Sequence, residues 1–145
     1  FRISSRVDSG EVISSRPVPI DVKDTTSSLG AKLQKASVEL ISEQLSLPLS
    51  EWAFQPQKEE LASFAPKIQK EDGLVDLAKE SPESILRKIR AYAPWPGVFV
   101  FHRTKRVKLI SASIQEGILR LEQVQMEGKM PVSYEDFVRG YGKLG

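Results

Sequence analysis

Apolar and polar positions alternate with two different rhythms along this chain, and each rhythm predicts its own elements. The run Glu11-Val12-Ile13-Ser14-Ser15-Arg16-Pro17-Val18 reads as a strand, with Pro17 placing its end at a sheet edge. The cluster Asp24-Thr25-Thr26-Ser27-Ser28 is a helix start signal. Leu29, Leu33, Ala36, Leu40, Ile41 and Leu45 then recur at helical spacing and trace one face, which is expected to be buried as core. Pro48 ends that helix, and residues 48–58 carry a second proline, Pro56, without any period, as a linker would.

A second unit is expected over residues 59–145. Ser81-Pro82-Glu83 has a capping serine, a proline suited to the first helical position and an acid facing the helix dipole. Ile85, Ile89 and Tyr92 form the buried stripe of that helix, and Pro94 and Pro96 end it. Residues 98–101 and 106–110 are predicted strands around a basic turn at 102–105. Glu116-Gly117 is a turn, and residues 118–124 alternate as a third strand. Ser133-Tyr134-Glu135-Asp136 resembles a capping box that opens a last short helix through Phe137 and Val138. A helix, a small antiparallel sheet and a closing helix are compatible with a reduced OB-like barrel. The fold class is therefore mixed α/β.

Composition adds little until charge is followed along the chain. The net charge is only +2, and residues 1–47 hold six basic and six acidic side chains, which cancel. From Arg87 to Lys108, however, there are seven basic residues (Arg87, Lys88, Arg90, Arg103, Lys105, Arg106 and Lys108) and no acid, which points to an anionic partner. The bland alternative for this block is a solvated face. No apolar run approaches the ~20 residues needed to span a bilayer, so no membrane partner is expected. One histidine and no cysteine argue against a structural zinc site and exclude disulfides. The opening Phe1-Arg2-Ile3-Ser4-Ser5 reads as the middle of a strand, and the chain is expected to be part of a longer protein.

Five blocks, in order, resemble the methionyl-tRNA formyltransferase family. They are Asp8-Ser9-Gly10-Glu11-Val12, Asp24-Thr25-Thr26-Ser27-Ser28-Leu29, the stretch from Ala65-Pro66-Lys67-Ile68 to Val75-Asp76, Arg90-Ala91-Tyr92-Ala93-Pro94-Trp95-Pro96-Gly97, and Gly128-Lys129-Met130-Pro131 ahead of Tyr134-Glu135-Asp136-Phe137. Two features depart from the family pattern. Leu77 stands where a Trp is common, and the segment between Ser113 and Gly117 lacks a long inserted hairpin. The resemblance implies that residues 1–47 are the end of a Rossmann-like formyltransferase domain (a remnant strand and helix), with 48–58 a linker and 59–145 a C-terminal OB-like tRNA-binding domain.

In such an enzyme the methionine amino group on initiator methionyl-tRNA attacks the formyl carbon of 10-formyltetrahydrofolate. The developing oxyanion needs donors, and the amine must lose a proton. Asp8 is then the family's catalytic carboxylate, although Asp8-Ser9-Gly10 without the resemblance is an ordinary Asx turn. The folate site and the other catalytic partners are expected upstream of Phe1, so the isolated chain is expected to be inactive and the missing domain to act in cis. The expected tRNA-binding residues are Lys67, Lys70, Arg90, Arg103, Lys105, Arg106, Lys108 and Lys129, which would neutralise phosphates.

Each of these residues has a plainer reading beside it. Lys67 and Lys70 fit linker solubility equally well. Tyr92 and Trp95 could stack on unpaired bases, but Trp95 reads more readily as core. His102 reads as a surface turn residue rather than a base. No metal is expected. The intact protein is expected to be a monomer in a bacterial cytoplasm or an organelle of bacterial descent. Two alternatives remain: an RNA-binding module without catalysis, and a sister folate-dependent formyltransferase or hydrolase acting on another substrate.

Overall fold

The computed structural model describes residues 1–144. The chain divides into two compact units, one of Phe1–Val22 with Ser28–Pro66 and the other of Lys23–Ser27 with the chain from Lys67 onward.

In the first unit the strand expected at residues 11–18 does not form. Val12 alone bridges Gln55, with N–H···O distances of 2.8 and 2.9 Å in the two directions. A strand exists only where a neighbour offers a ladder, and Pro17 and Pro19 lack the N–H groups to extend one. Nor do residues 1–5 form a strand: Arg2 N donates to Glu11 O at 2.8 Å, which closes a loop. Helix α1 (Thr26–Leu45) starts three residues ahead of its first expected apolar position and ends where expected. None of its side chains is buried, so the face expected to be core is not core here. Arg16 is clamped to α1 by Glu43 at 2.5 Å and Glu39 at 3.2 Å, and the Glu43 hydrogen bond raises its pKa above the ordinary guanidinium value. Residues 48–58 hold a short 3-10 turn, Leu49–Glu51, and fold back through Gln55 onto Val12.

The second unit begins with a 3-10 turn, Lys70–Gly73, closed by a reciprocal box in which Gln69 N donates to the Asp72 carboxylate at 2.7 Å. Helix α2 (Pro82–Ala91) is capped as expected, with Ser84 N donating to Ser81 Oγ at 3.2 Å. Strands β1 (Val98–His102), β2 (Lys105–Gln115), β3 (Ile118–Met126) and β4 (Val132–Ser133) form an antiparallel meander in that order. Glu116 and Gly117, both at positive φ, make the two-residue turn between β2 and β3 that matches strand twist. Helix α3 (Tyr134–Tyr141) is capped by Ser133 Oγ, which accepts from Asp136 N at 3.1 Å.

The core lies on one face of this sheet. Ile85 and Ile89 of α2, Val98, Val100, Val107, Leu109, Val124 and Met126 of the strands, and Phe137 of α3 close on one another. Burying each large apolar side chain contributes roughly 1.5–3 kcal/mol. Three strand expectations are lengthened, that of β1 by one residue to His102. β2 runs to Gln115 through register shifts at Leu109, Ser111 and Ala112, and β3 runs to Met126. The expected OB-like barrel is corrected to an open sheet: β1 and β4 are its two edges. β4 is only two residues long because Ser133 is already the cap of α3, so too little strand remains to carry the sheet round to closure.

Candidate nucleic-acid interface

Side chains of a strand alternate between faces, so the core set fixes the outer set. With Val98, Val100, Val107 and Leu109 in the core, Phe99, Phe101, Arg106 and Lys108 stand on the opposite face. Register pairs Phe99 with Lys108 and Phe101 with Arg106 across β1 and β2, and pairs Lys108 with Gln125 of β3. The Arg106 guanidinium lies over the Phe99 ring, 4.9 Å from its centroid. Phe99 and Phe101 meet edge to face with centroids 5.8 Å apart. Phe99 is buried beneath this stack, while Phe101 is 55% exposed.

Lys108 reaches from the sheet to the segment that follows α2. Its Nζ donates to Pro94 O at 3.1 Å, and its stem runs beside Gly97, where a Cβ would lie 2.2 Å from Lys108 Cε. In that segment the Ala93–Pro94 and Trp95–Pro96 peptide bonds are both cis. Trp95, read from sequence as core, is 60% exposed, because prolines on either side and the tie to Lys108 hold its backbone outside the sheet. Arg106, Lys108, Gln125, Glu127 and Gly128 line a shallow cavity on this side, and Lys129 follows at its end, its carbonyl accepting from Gln125 Nε2 at 2.8 Å.

The other basic residues of the block are not part of this face. Arg103 is exposed in the β1–β2 turn at φ 56°, a left-handed position. Lys105 pairs with His102, and the pleat puts both on the core side at the end of the sheet. His102 is the last residue of β1 and half-buried, rather than a surface turn residue. Its Nε2 lies 3.0 Å from Tyr141 O and its ring stands edge-on to Phe137 at 5.7 Å. Arg87, Lys88 and Arg90 belong to α2, which packs on the core face through Ile85 and Ile89. Lys88 is neutralised by Glu80 at 2.7 Å. The run of seven cations is thus split by the sheet into two groups, because a helix covering one face of a sheet cannot contribute to the other.

Lys67 and Lys70 are exposed ahead of β1. The turn that begins with Lys70 ends at Gly73, whose backbone comes so close to Gly97 that a Cβ would lie 2.1 Å from Gly97 O. Leu74 then bridges Phe99 in parallel register, so Lys70 stands near the edge of β1 that bears Phe99 and Phe101. In the first unit Asp8 is exposed at φ 53°, and its carbonyl accepts from Gln57 Nε2 at 2.9 Å.

Residues 67–117, which span α2, β1, β2 and the turn after them, match the family model described as formyl transferase, C-terminal domain. This part of the chain is similar to that domain. Curated relatives extend the likeness over nearly the whole chain. The methionyl-tRNA formyltransferase of Koribacter versatilis (strain Ellin345) is 30% identical over 97% of the chain and 52% of its own length. That of Thermus thermophilus is 32% identical over 98% of the chain and 53% of its own length. The chain therefore spans about half the length of the curated relatives it matches. Among solved structures, HypX from Aquifex aeolicus in complex with tetrahydrofolic acid superposes with a TM-score of 0.67 at 19% identity, over 97% of this chain and 29% of that one, a likeness of fold.

Within residues 67–117, sequence reasoning missed the aromatic half of the face, Phe99 and Phe101. The signal was present in the strict Val-Phe alternation of residues 98–101, which separates a β-branched face from an aromatic one. The tie from Lys108 to Pro94 had no local signal.

Proposed function

We infer that this chain is the tRNA-binding portion of a methionyl-tRNA formyltransferase, and that the outer face of its sheet receives the RNA. The observation that carries this reading is the stack of Arg106 on Phe99 beside exposed Phe101 and half-buried Lys108, on the sheet face opposite α2 in the stretch that matches the formyl transferase C-terminal domain. Arg106, Lys108 and Lys129 neutralise phosphates, and Arg103, Lys105, Lys67 and Lys70 extend the positive field along the edges. Phe101 and Trp95 offer flat apolar surface for an unpaired base. Arg90 lies on the far side of the sheet, so its part is limited to long-range attraction.

The substrate in this reading is initiator methionyl-tRNA, and the formyl group comes from 10-formyltetrahydrofolate, bound by the part of the enzyme outside this chain. The names of the relatives and the tetrahydrofolic acid held by the Aquifex aeolicus protein support this chemistry. Residues 1–47 are read as the end of the catalytic domain, where Asp8 supplies the carboxylate that pairs with a catalytic base carried in cis. The enzyme is read as a monomer working in a bacterial cytoplasm or an organelle of bacterial descent.

Titration of this chain with initiator tRNA at several salt concentrations tests the reading. Saturable binding, weaker for duplex DNA of equal charge, is expected. Replacing Arg106 and Lys108 by Ala is expected to flatten the slope of log K against log salt by about 0.7–0.9 for each phosphate no longer neutralised. Absence of binding at low salt, or an unchanged slope in the variant, would remove RNA from this face.

A further inference from the structure

The segment around Asp8 is held from two sides. Arg2 N donates to Glu11 O, and the loop it closes is tight enough that a Cβ at Gly10 would lie 1.6 Å from Arg2 O, so no side chain fits there. On the other side, Val12 and Gln55 exchange both backbone hydrogen bonds as an antiparallel pair. Continuing that register two residues each way sets Gln57 opposite Gly10. The Gln57 amide answers this placement with both of its hydrogens. Nε2 donates to Gly10 O at 2.7 Å and to Asp8 O at 2.9 Å.

One of those carbonyls belongs to Asp8 itself, whose φ of 53° is a left-handed conformation that residues with a side chain seldom adopt. The Ser4 and Ser9 hydroxyls, 2.8 Å apart, both donate to Arg6 O, at 2.8 and 3.1 Å, and complete the brace. A residue in this conformation stays there only while its surroundings hold it. The dihedral angles at Asp8 set the direction of its Cα–Cβ bond, and hence the space its carboxylate can reach.

We propose that Gln57 is a positioning residue for Asp8, acting through the two carbonyls of the 8–10 turn to fix the direction from which the carboxylate meets its catalytic partner. This rests on the reading of Asp8 as the catalytic carboxylate. Gln57 has no polar contact with a reacting atom in this arrangement; its effect is on geometry. An amide suits the task better than a hydroxyl or an ammonium, because its two N–H bonds diverge in one plane toward two separate acceptors. Misplacement of a catalytic group by about 1 Å is enough to cost on the order of 100-fold in rate.

The experiment is a kinetic double-mutant cycle in the full-length enzyme, with Asp8→Asn, Gln57→Met and the two combined, measured with initiator methionyl-tRNA and the formyl donor. Methionine matches the length of glutamine and donates nothing. Gln57→Met is expected to lower kcat by about 10- to 100-fold with the KM for tRNA within about twofold. In the Asp8→Asn background it is expected to do almost nothing further, since the group it positions is gone. If Gln57→Met does not yield folded protein, Gln57→Asn, which keeps the amide but is one methylene too short to reach both carbonyls, carries the same expectations.

Undiminished kcat in Gln57→Met, or the same fold-loss in both backgrounds, would overturn the role of Gln57. Undiminished kcat in Asp8→Asn would instead overturn the reading of Asp8 itself, and the single variants tell the two apart.

Discussion

Asp76 accepts from Ala78 N at 2.9 Å and meets Lys79 Nζ at 3.1 Å, and these hydrogen bonds, that of Lys79 first, lower its pKa below the ordinary value of 3.8. A carboxylate depressed on folding contributes stability that is fully present above its unfolded pKa and lost as pH falls through its folded pKa. Thermal melts of wild type and Asp76→Asn are therefore expected to differ at neutral pH and to converge as the pH falls below 3.8. A constant difference down to the acid limit would assign the effect to packing instead. Asp8 is the residue-scale test of catalysis: Asp8→Asn in the full-length enzyme is expected to lose at least about 100-fold in turnover with little change in tRNA affinity. Its motif was legible in sequence by resemblance. Its left-handed backbone and its partner Gln57 were not, because that partner lies in a stretch without period that reads as a linker.

At the scale of elements, local rules worked where the signal is local. Ser81 and Ser133 cap α2 and α3 because each offers a hydroxyl to a backbone N–H three residues on, and both were visible as sequence patterns. The strand expected at 11–18 failed because its existence depends on a neighbour that supplies only Gln55. The turn ending in Gly73 and the segment ending in Gly97 meet backbone to backbone, which a side chain at 73 would prevent. Gly73→Ala is expected to destabilise the second unit by about 1–3 kcal/mol, the usual cost of overpacking, and chemical denaturation would measure it. It is also expected to weaken tRNA binding at moderate salt, because the displaced segment carries Trp95 and the acceptor of Lys108. A variant with wild-type stability would mean that the two segments part without cost.

At the scale of the molecule, α1 presents Leu33, Val38, Ile41 and Leu45 to solvent although its pattern is that of a core helix. Exposed stripes of this kind drive association. The chain by itself is expected to self-associate in sedimentation velocity, and Ile41→Lys with Leu45→Lys to shift it toward monomer; unchanged sedimentation would clear α1 of that role. The sequence by itself determined the helices, the three long strands, the likeness to formyltransferases and the placement of Lys108 on a solvent face, since each follows from caps, periodicity or motifs within a few residues. Only the tertiary structure decided that the basic run divides between two sides of a sheet, that Trp95 is exposed, that the sheet stays open, and that Gln57 clasps the turn of Asp8. Those outcomes depend on which distant segments pack together, and pairing across 47 residues, as between Gly10 and Gln57, leaves no trace in local spacing.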